Sequence, residues 1–185
     1  TEVNGLPLHG VETSGWLDDL LAQLQTGEKL KSLPVPEGFV GQLRPYQERG
    51  FAWLAFLRRW GFGACLADDM GLGKTVQVLG FLHILKSSLK KSVSPHRASL
   101  LVIPASLISN WVNEISRFSP DMKYLVAHPA ANSAARTAAE DKKSLNTFDL
   151  VITTYALVQK YEWLQTHSWN YVILDEAQAI KNPAT

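Results

Sequence analysis

Apolar positions along this chain change their period several times. Thr1 to Gly27 carries an amphipathic pattern in which Trp16, Leu17, Leu20, Leu21 and Leu24 fall on one helical face, with Thr13 or Ser14 as cap and Gly27 as stop. Residues 28–42 hold Pro34, Pro36, Gly38 and Gly41 and read as a linker. A second helix is predicted from Pro45, a residue suited to the first helical position. Phe51, Trp53, Leu54, Phe56, Leu57 and Trp60 give it a wide apolar surface, and Gly61 ends it. Ala64-Cys65-Leu66 reads as a short strand, and Val76, Leu79, Leu82, Ile84 and Leu85 as the apolar side of a third helix. Residues 86–97 are rich in Ser and Lys and read as an exposed loop or a frayed helix end.

The second half alternates more regularly. Ser99 to Ile103 is a continuous apolar run, as in a strand covered on both faces. A helix follows with Leu107, Ile108, Trp111, Ile115 and Phe118 inward, then a strand from Lys123 to Ala127. Residues 129–146 are Ala-rich and polar and suggest a short helix within a loop. Leu150 to Thr153 is a third apolar strand, followed by a helix to about Trp163. Tyr171 to Leu174 is a fourth, ending in Asp175-Glu176-Ala177-Gln178. Apolar strands alternating with helices predict an α/β domain with a mostly parallel sheet. In such sheets ligands sit beyond the carboxyl ends of the strands. The turn after Leu66, Pro104–Ser106, Thr153–Tyr155 and Asp175–Glu176 should therefore share one rim.

Composition narrows this picture without changing it. The 185 residues are 46% hydrophobic and 19% charged, which suits one domain with a real core. A net charge of +1 supplies no bulk attraction to nucleic acid, so any such binding must rest on a local surface. Cys65 is the single cysteine, excludes an internal disulfide, and is expected to be a packing residue in a reducing compartment. The five His residues are scattered without metal-ligand spacing. Nothing reads as a secretory leader, and no apolar run reaches the length of a membrane span.

The candidate chemistry lies in Asp68-Asp69-Met70-Gly71-Leu72-Gly73-Lys74-Thr75. A strand, a Gly-bearing loop and a helix in that order make a phosphate cradle. Gly71 and Gly73 allow backbone N–H groups to converge on an anion, and the helix N-terminus adds its positive end. Lys74 supplies a charge for the β- and γ-phosphates, and Thr75 a hydroxyl for Mg²⁺. The P-loop consensus asks for Gly where Asp68 stands, and a plain strand-to-helix turn with a solvated Lys is the competing reading. Asp175-Glu176 after an apolar strand favours the nucleotide site. Asp175 is placed to hold Mg²⁺ and Glu176 to orient or deprotonate the attacking water. Gln47 by spacing is an ordinary helix residue, although its amide matches the donor–acceptor edge of adenine.

Taken together, five blocks resemble the first RecA-like lobe of a superfamily-two helicase, specifically the Swi/Snf family of double-stranded-DNA translocases, bacterial type. Leu43-Arg44-Pro45-Tyr46-Gln47 resembles the Q motif, and residues 68–75 resemble motif I, with Asp69 where the family usually has Glu. Leu101 to Leu107 with Asn110-Trp111 resembles motif Ia, Asp149 to Tyr155 motif Ib, and Asp175-Glu176-Ala177-Gln178 with Ile180-Lys181-Asn182-Pro183 motif II. Gln178 stands where the family commonly has His.

The resemblance implies a P-loop NTPase fold, RecA-like, with a parallel sheet and helices on both faces. It divides the chain into an upstream tail and linker over 1–40 and an ATP-binding lobe over 41–185, cut after motif II. It implies ATP and Mg²⁺ as ligands. Gln47, Asp69, Met70, Gly71, Leu72, Gly73, Lys74 and Thr75 would contact nucleotide, Thr75 and Asp175 the metal, and Lys74, Asp175 and Glu176 would serve catalysis. Ser106, Asn110, Thr153 and Thr154 would grip the backbone of double-stranded DNA, where neutral donors suffice. The place of work would be the bacterial cytoplasm at the nucleoid, or the nucleus of a eukaryote. Competing readings are an RNA helicase lobe, a nucleotide-gated scaffold module without turnover and, remotely, a P-loop kinase. In the resembled family a motif III strand lies between the motif I and motif II strands, so a gap is expected there. A second lobe supplies arginine fingers worth about 10³–10⁵ in turnover. These residues alone are thus expected to hydrolyse ATP barely.

Overall fold

The computed structural model describes residues 33–90, 97–128 and 142–180, with residues 2–3, 6–7, 14–15, 18 and 21 nearer the start. Strand β1 (Glu2–Val3) pairs antiparallel with β2 (Leu6–Pro7). Of the first predicted helix, Asp18 and Leu21 are helical, while Trp16, Leu17, Leu20 and Leu24 lie outside the described residues. So do residues 91–96, 129–141 and 181–185, which include the Lys181-Asn182-Pro183 of the last block.

The main sheet has four parallel strands in the order β4 (Tyr124–Val126), β5 (Leu150–Thr154), β3 (Ser99–Ile103) and β6 (Val172–Leu174). The two central strands, β3 and β5, are buried at all five positions, which is why both read as unbroken apolar runs. Side chains alternate across the sheet. Leu101, Ile103, Leu150 and Ile152 enter one core with Phe51, Leu79, Leu82, Trp111 and Ile115. Leu100, Val102 and Val151 enter a second core with Leu145, Leu157 and Leu164. The first core is closed by helices α1 (Pro45–Arg59), α2 (Lys74–Lys90) and α3 (Ile108–Phe118). The second is closed by α4 (Lys142–Leu145), α5 (Tyr155–Lys160) and α6 (Glu162–Thr166). Helices thus cover both faces, as expected. Each fully buried Leu or Ile here contributes about 1.5–3 kcal/mol relative to exposure.

Local signals account for most boundaries. Pro45 is the first residue of α1, and the Arg44 backbone N–H donates to Gln47 Oε1 at 2.9 Å. At the other end Gly61 N–H donates to Arg58 O and Phe62 N–H to Leu57 O, each at 3.0 Å, which satisfies two end carbonyls. The helix predicted to run to Trp163 instead breaks at Tyr161, whose extended backbone separates α5 from α6.

Ala64-Cys65-Leu66 departs from expectation. It is not a strand but an unpaired segment, and Cys65 is exposed rather than packed. A strand exists only where a ladder partner exists, and among the described residues no strand pairs with this segment. The matching feature is the edge of β6, where Val172 is 56% and Leu174 45% exposed. Segment and edge flank one cavity and are not hydrogen-bonded to each other among the described residues. The gap expected between them is therefore present.

Candidate nucleotide site

The parallel register brings the carboxyl ends of three strands level. Ile103 pairs with Thr154, and Val102 with Leu174. The turns that follow these strands share a rim with the loop that leads into α2. A cavity of about 800 Å³ runs along the slot between residues 62–67 and β6 and reaches this rim, where Asp69, Lys74, Thr75, Asp175 and Glu176 border it. The loop lysine and the strand-end acids, a hundred residues apart in sequence, thus face one space.

The loop itself is built on two left-handed glycines, Gly71 at φ +83° and Gly73 at φ +75°. A Cβ on Gly73 would collide with the Gln47 side-chain nitrogen. The loop carbonyls are held by side chains. Leu72 O accepts from Tyr46 Oη at 3.0 Å and from Gln47 Nε2 at 3.1 Å. Lys74 Nζ donates to Asp68 O at 2.7 Å and Asp69 O at 3.2 Å. Asp68, the departure from the P-loop consensus, is anchored from α2 by Gln77, whose Nε2 donates to Asp68 Oδ2 at 3.0 Å. Met70 projects outward at 85% exposure.

Gln47 takes a different place from the one its adenine-matching amide suggests. It is buried, its oxygen accepts from Arg44 N–H, and its nitrogen serves Leu72. Neither Gln47 nor Gly71, Leu72 or Gly73 lines the cavity.

Asp175 is hydrogen-bonded through its backbone N–H, its carbonyl and both carboxylate oxygens. Its backbone N–H donates to Val102 O at 3.0 Å, continuing the β3–β6 ladder. Its Oδ2 accepts from Trp111 Nε1 at 2.8 Å, its Oδ1 from Glu176 N–H at 3.1 Å, and its carbonyl from Tyr155 Oη at 2.7 Å. Burial pushes the Tyr155 hydroxyl pKa above its ordinary value, and the charges of Asp175 and Glu176 push it the same way. Tyr155 therefore stays a neutral donor. Glu176 adopts a left-handed backbone, φ 52° and ψ 48°, a conformation that costs a side-chain-bearing residue about 1–3 kcal/mol. Its carboxylate accepts from the Gln178 side-chain amide.

The donor set fits Mg²⁺. A hydroxyl at Thr75 and one carboxylate at Asp175 border the same cavity, and each Asp175 oxygen that takes one N–H retains a further acceptor position. Magnesium takes one or two carboxylates and fills its shell with phosphate oxygens and water. Among the described residues no group of three or more His, Cys, Asp or Glu side chains forms a cage for another metal.

The four residues expected to grip DNA divide. Ser106 and Asn110 are exposed, on the short 3₁₀ turn after β3 and on α3. Thr153 and Thr154 are buried, and Thr153 Oγ1 donates to Ala127 O at 3.2 Å. The Thr153 hydroxyl is thus taken up by the neighbouring chain rather than offered at the rim. The sequence pattern did not single out Gln77, and it placed Tyr46, Trp111 and Tyr155 within motif blocks without assigning their side chains a partner. A polar residue such as Gln77 between apolar helix positions was the one available signal.

A glycine loop, a helix N-terminus and a strand-end acid pair around one cavity of a parallel sheet define a RecA-like P-loop nucleotide-binding lobe. Residues 46–185 match the family described as SNF2-related domain, and the chain belongs to that family. The putative ATP-dependent helicase/translocase YwqA of Bacillus subtilis is 41% identical over 177 residues, covering 94% of this chain and 18% of that protein. The chromatin-remodeling ATPase INO80 of Drosophila melanogaster is 41% identical over 165 residues, covering 85% of this chain and 10% of its own. Among solved structures, the Sulfolobus solfataricus SWI2/SNF2 ATPase core in complex with dsDNA superposes with a TM-score of 0.71 at 37% identity, over 84% of this chain and 30% of that one. The chain thus spans under a fifth of these curated relatives' lengths.

Proposed function

We propose that this chain is the ATP-binding lobe of an ATP-dependent double-stranded-DNA translocase. The observation that carries the reading is the convergence of Lys74, Thr75, Asp175 and Glu176 on one cavity. In this assignment the loop N–H groups and Lys74 bind the β- and γ-phosphates, and Lys74 exchanges its two loop carbonyls for phosphate oxygens. Thr75 and Asp175 hold Mg²⁺, which when bound neutralises charge on the phosphates. Glu176 accepts a proton from the attacking water, with its carboxylate steered by Gln178. Asp69 and Met70 flank the phosphates. Adenine recognition by Gln47 requires its Nε2 to leave Leu72 O.

Duplex DNA as the track is supported by the family and by the DNA-bound relative. Ser106 and Asn110 are the accessible neutral donors for a phosphate backbone, and Thr153 and Thr154 support them from within the sheet. No described helix is long and apolar enough to cross a membrane. The expected place of work is the nucleoid-bearing cytoplasm or the nucleus, according to source. The test is ATP turnover by the full-length protein with duplex DNA, with RNA and without nucleic acid. Stimulation by duplex DNA is expected. Stimulation by RNA alone, or by neither, contradicts the proposal.

A further inference from the structure

We propose that Trp111 is a positioning residue for the Asp175 carboxylate, setting how that carboxylate meets a divalent cation. The inference rests on the nucleotide-site reading above. Trp111 is 2% exposed and belongs to the core with Phe51, Leu79 and Ile115, and it also borders the cavity. A buried indole N–H is donor only and must find an acceptor. Here it is given to Asp175 Oδ2 at 2.8 Å, although the residues lie 64 positions apart and the carboxylate borders the cavity.

The effect on Asp175 follows from its own chemistry. The carboxylate torsion of Asp is soft, so an untethered group samples a broad range. With Oδ2 fixed by α3 and Oδ1 by the adjacent Glu176 N–H, the carboxylate plane is set from two sides. Tyr155, from α5, fixes the carbonyl of the same residue. Partners that orient a metal-binding carboxylate typically carry 10–100-fold in metal affinity or activity. The exposed Asn110 adjoins Trp111 on α3, so a ligand held by Asn110 and the carboxylate held by Trp111 share one rigid element.

The test uses the full-length protein, a fluorescent ADP analogue and a Mg²⁺ titration. Trp111→Phe keeps an aromatic ring and removes the N–H. Its affinity for the analogue in EDTA should match wild type, while the Mg²⁺ concentration giving half-maximal tightening should rise about 10–100-fold. Ile115→Val, in the same core but without contact to Asp175, controls for lost packing. It should lower the melting temperature and leave the Mg²⁺ requirement unchanged. An unchanged Mg²⁺ requirement in Trp111→Phe, or an equal shift in Ile115→Val, overturns this inference and leaves the nucleotide reading intact. Failure of the wild-type protein to bind the analogue in a Mg²⁺-dependent manner overturns both.

Discussion

Gln77 of the helix and Asp68 of the loop clasp each other at 3.0 Å, amide nitrogen to carboxylate. Gln77 is fully buried, and its Oε1 has no partner among the described residues. Gly50 lies against that amide so closely that a Cβ there would overlap it. The loop is thus tied to α2 by the Gln77 amide as well as by the Lys74 amine, with Gln77 buried and Asp68 partly open to the cavity. Asp68→Ala leaves the Gln77 amide without its acceptor, and a buried group so stranded costs about 1–3 kcal/mol. Denaturant unfolding should show that loss, while Asp68→Asn should retain most of the stability.

Gly73 combines a positive φ with contact to Gln47. Gly73→Ala must both strain the backbone and push the Gln47 amide from Leu72 O. Strain of this kind costs about 1–3 kcal/mol. Nucleotide affinity should fall clearly more than for Gly63→Ala, where a Cβ meets open space. Equal affinities in the two variants would remove the role assigned to the Gln47–Leu72 contact.

His83 supplies a pH dependence unrelated to catalysis. It is buried in α2 against Gly38 and Phe39, and its Nε2 has no partner among the described residues. Burial lowers its pKa below 6.5, and the neighbouring Lys86 acts in the same direction. Asp149, a backbone hydrogen bond to Glu37 and Asp121 oppose the shift. Between the lowered value and 6.5 the unfolded chain binds a proton that the folded chain refuses. The His83 contribution to stability is therefore fully present above pH 6.5 and is lost as the pH drops through that value towards the folded one. His83→Phe should flatten the stability profile between about pH 5 and 7 relative to wild type, as read by thermal melting.

Much of this arrangement was legible because the central strands are buried on both faces. Ser99–Ile103 and Leu150–Thr154 needed only their apolar runs, and the loop only its glycines and lysine. Ala64–Leu66 was not legible as an unpaired segment, because its composition suits a strand and pairing depends on what lies beside it. Cys65 followed the same error and lies exposed at the cavity wall. Periodicity also reports which face a residue takes, not which atom it bonds. Trp111 and Thr153 show both sides of that limit. The first sits inward as expected yet reaches Asp175, whereas the second, expected at the rim, lies within β5 and gives its hydroxyl to Ala127. Gln47, suited by its amide to adenine, is taken by Leu72.

In the proposed function one nucleotide is held between Lys74 and the Asp175–Glu176 pair. The most direct measurement compares ATP affinity and turnover for Lys74→Ala and Glu176→Gln in the full-length protein. Lys74→Ala should lose affinity. Glu176→Gln should bind ATP as wild type does and turn over about 10²–10⁴-fold more slowly. Undiminished ATP affinity in Lys74→Ala, or equal loss of affinity in both variants, would contradict it.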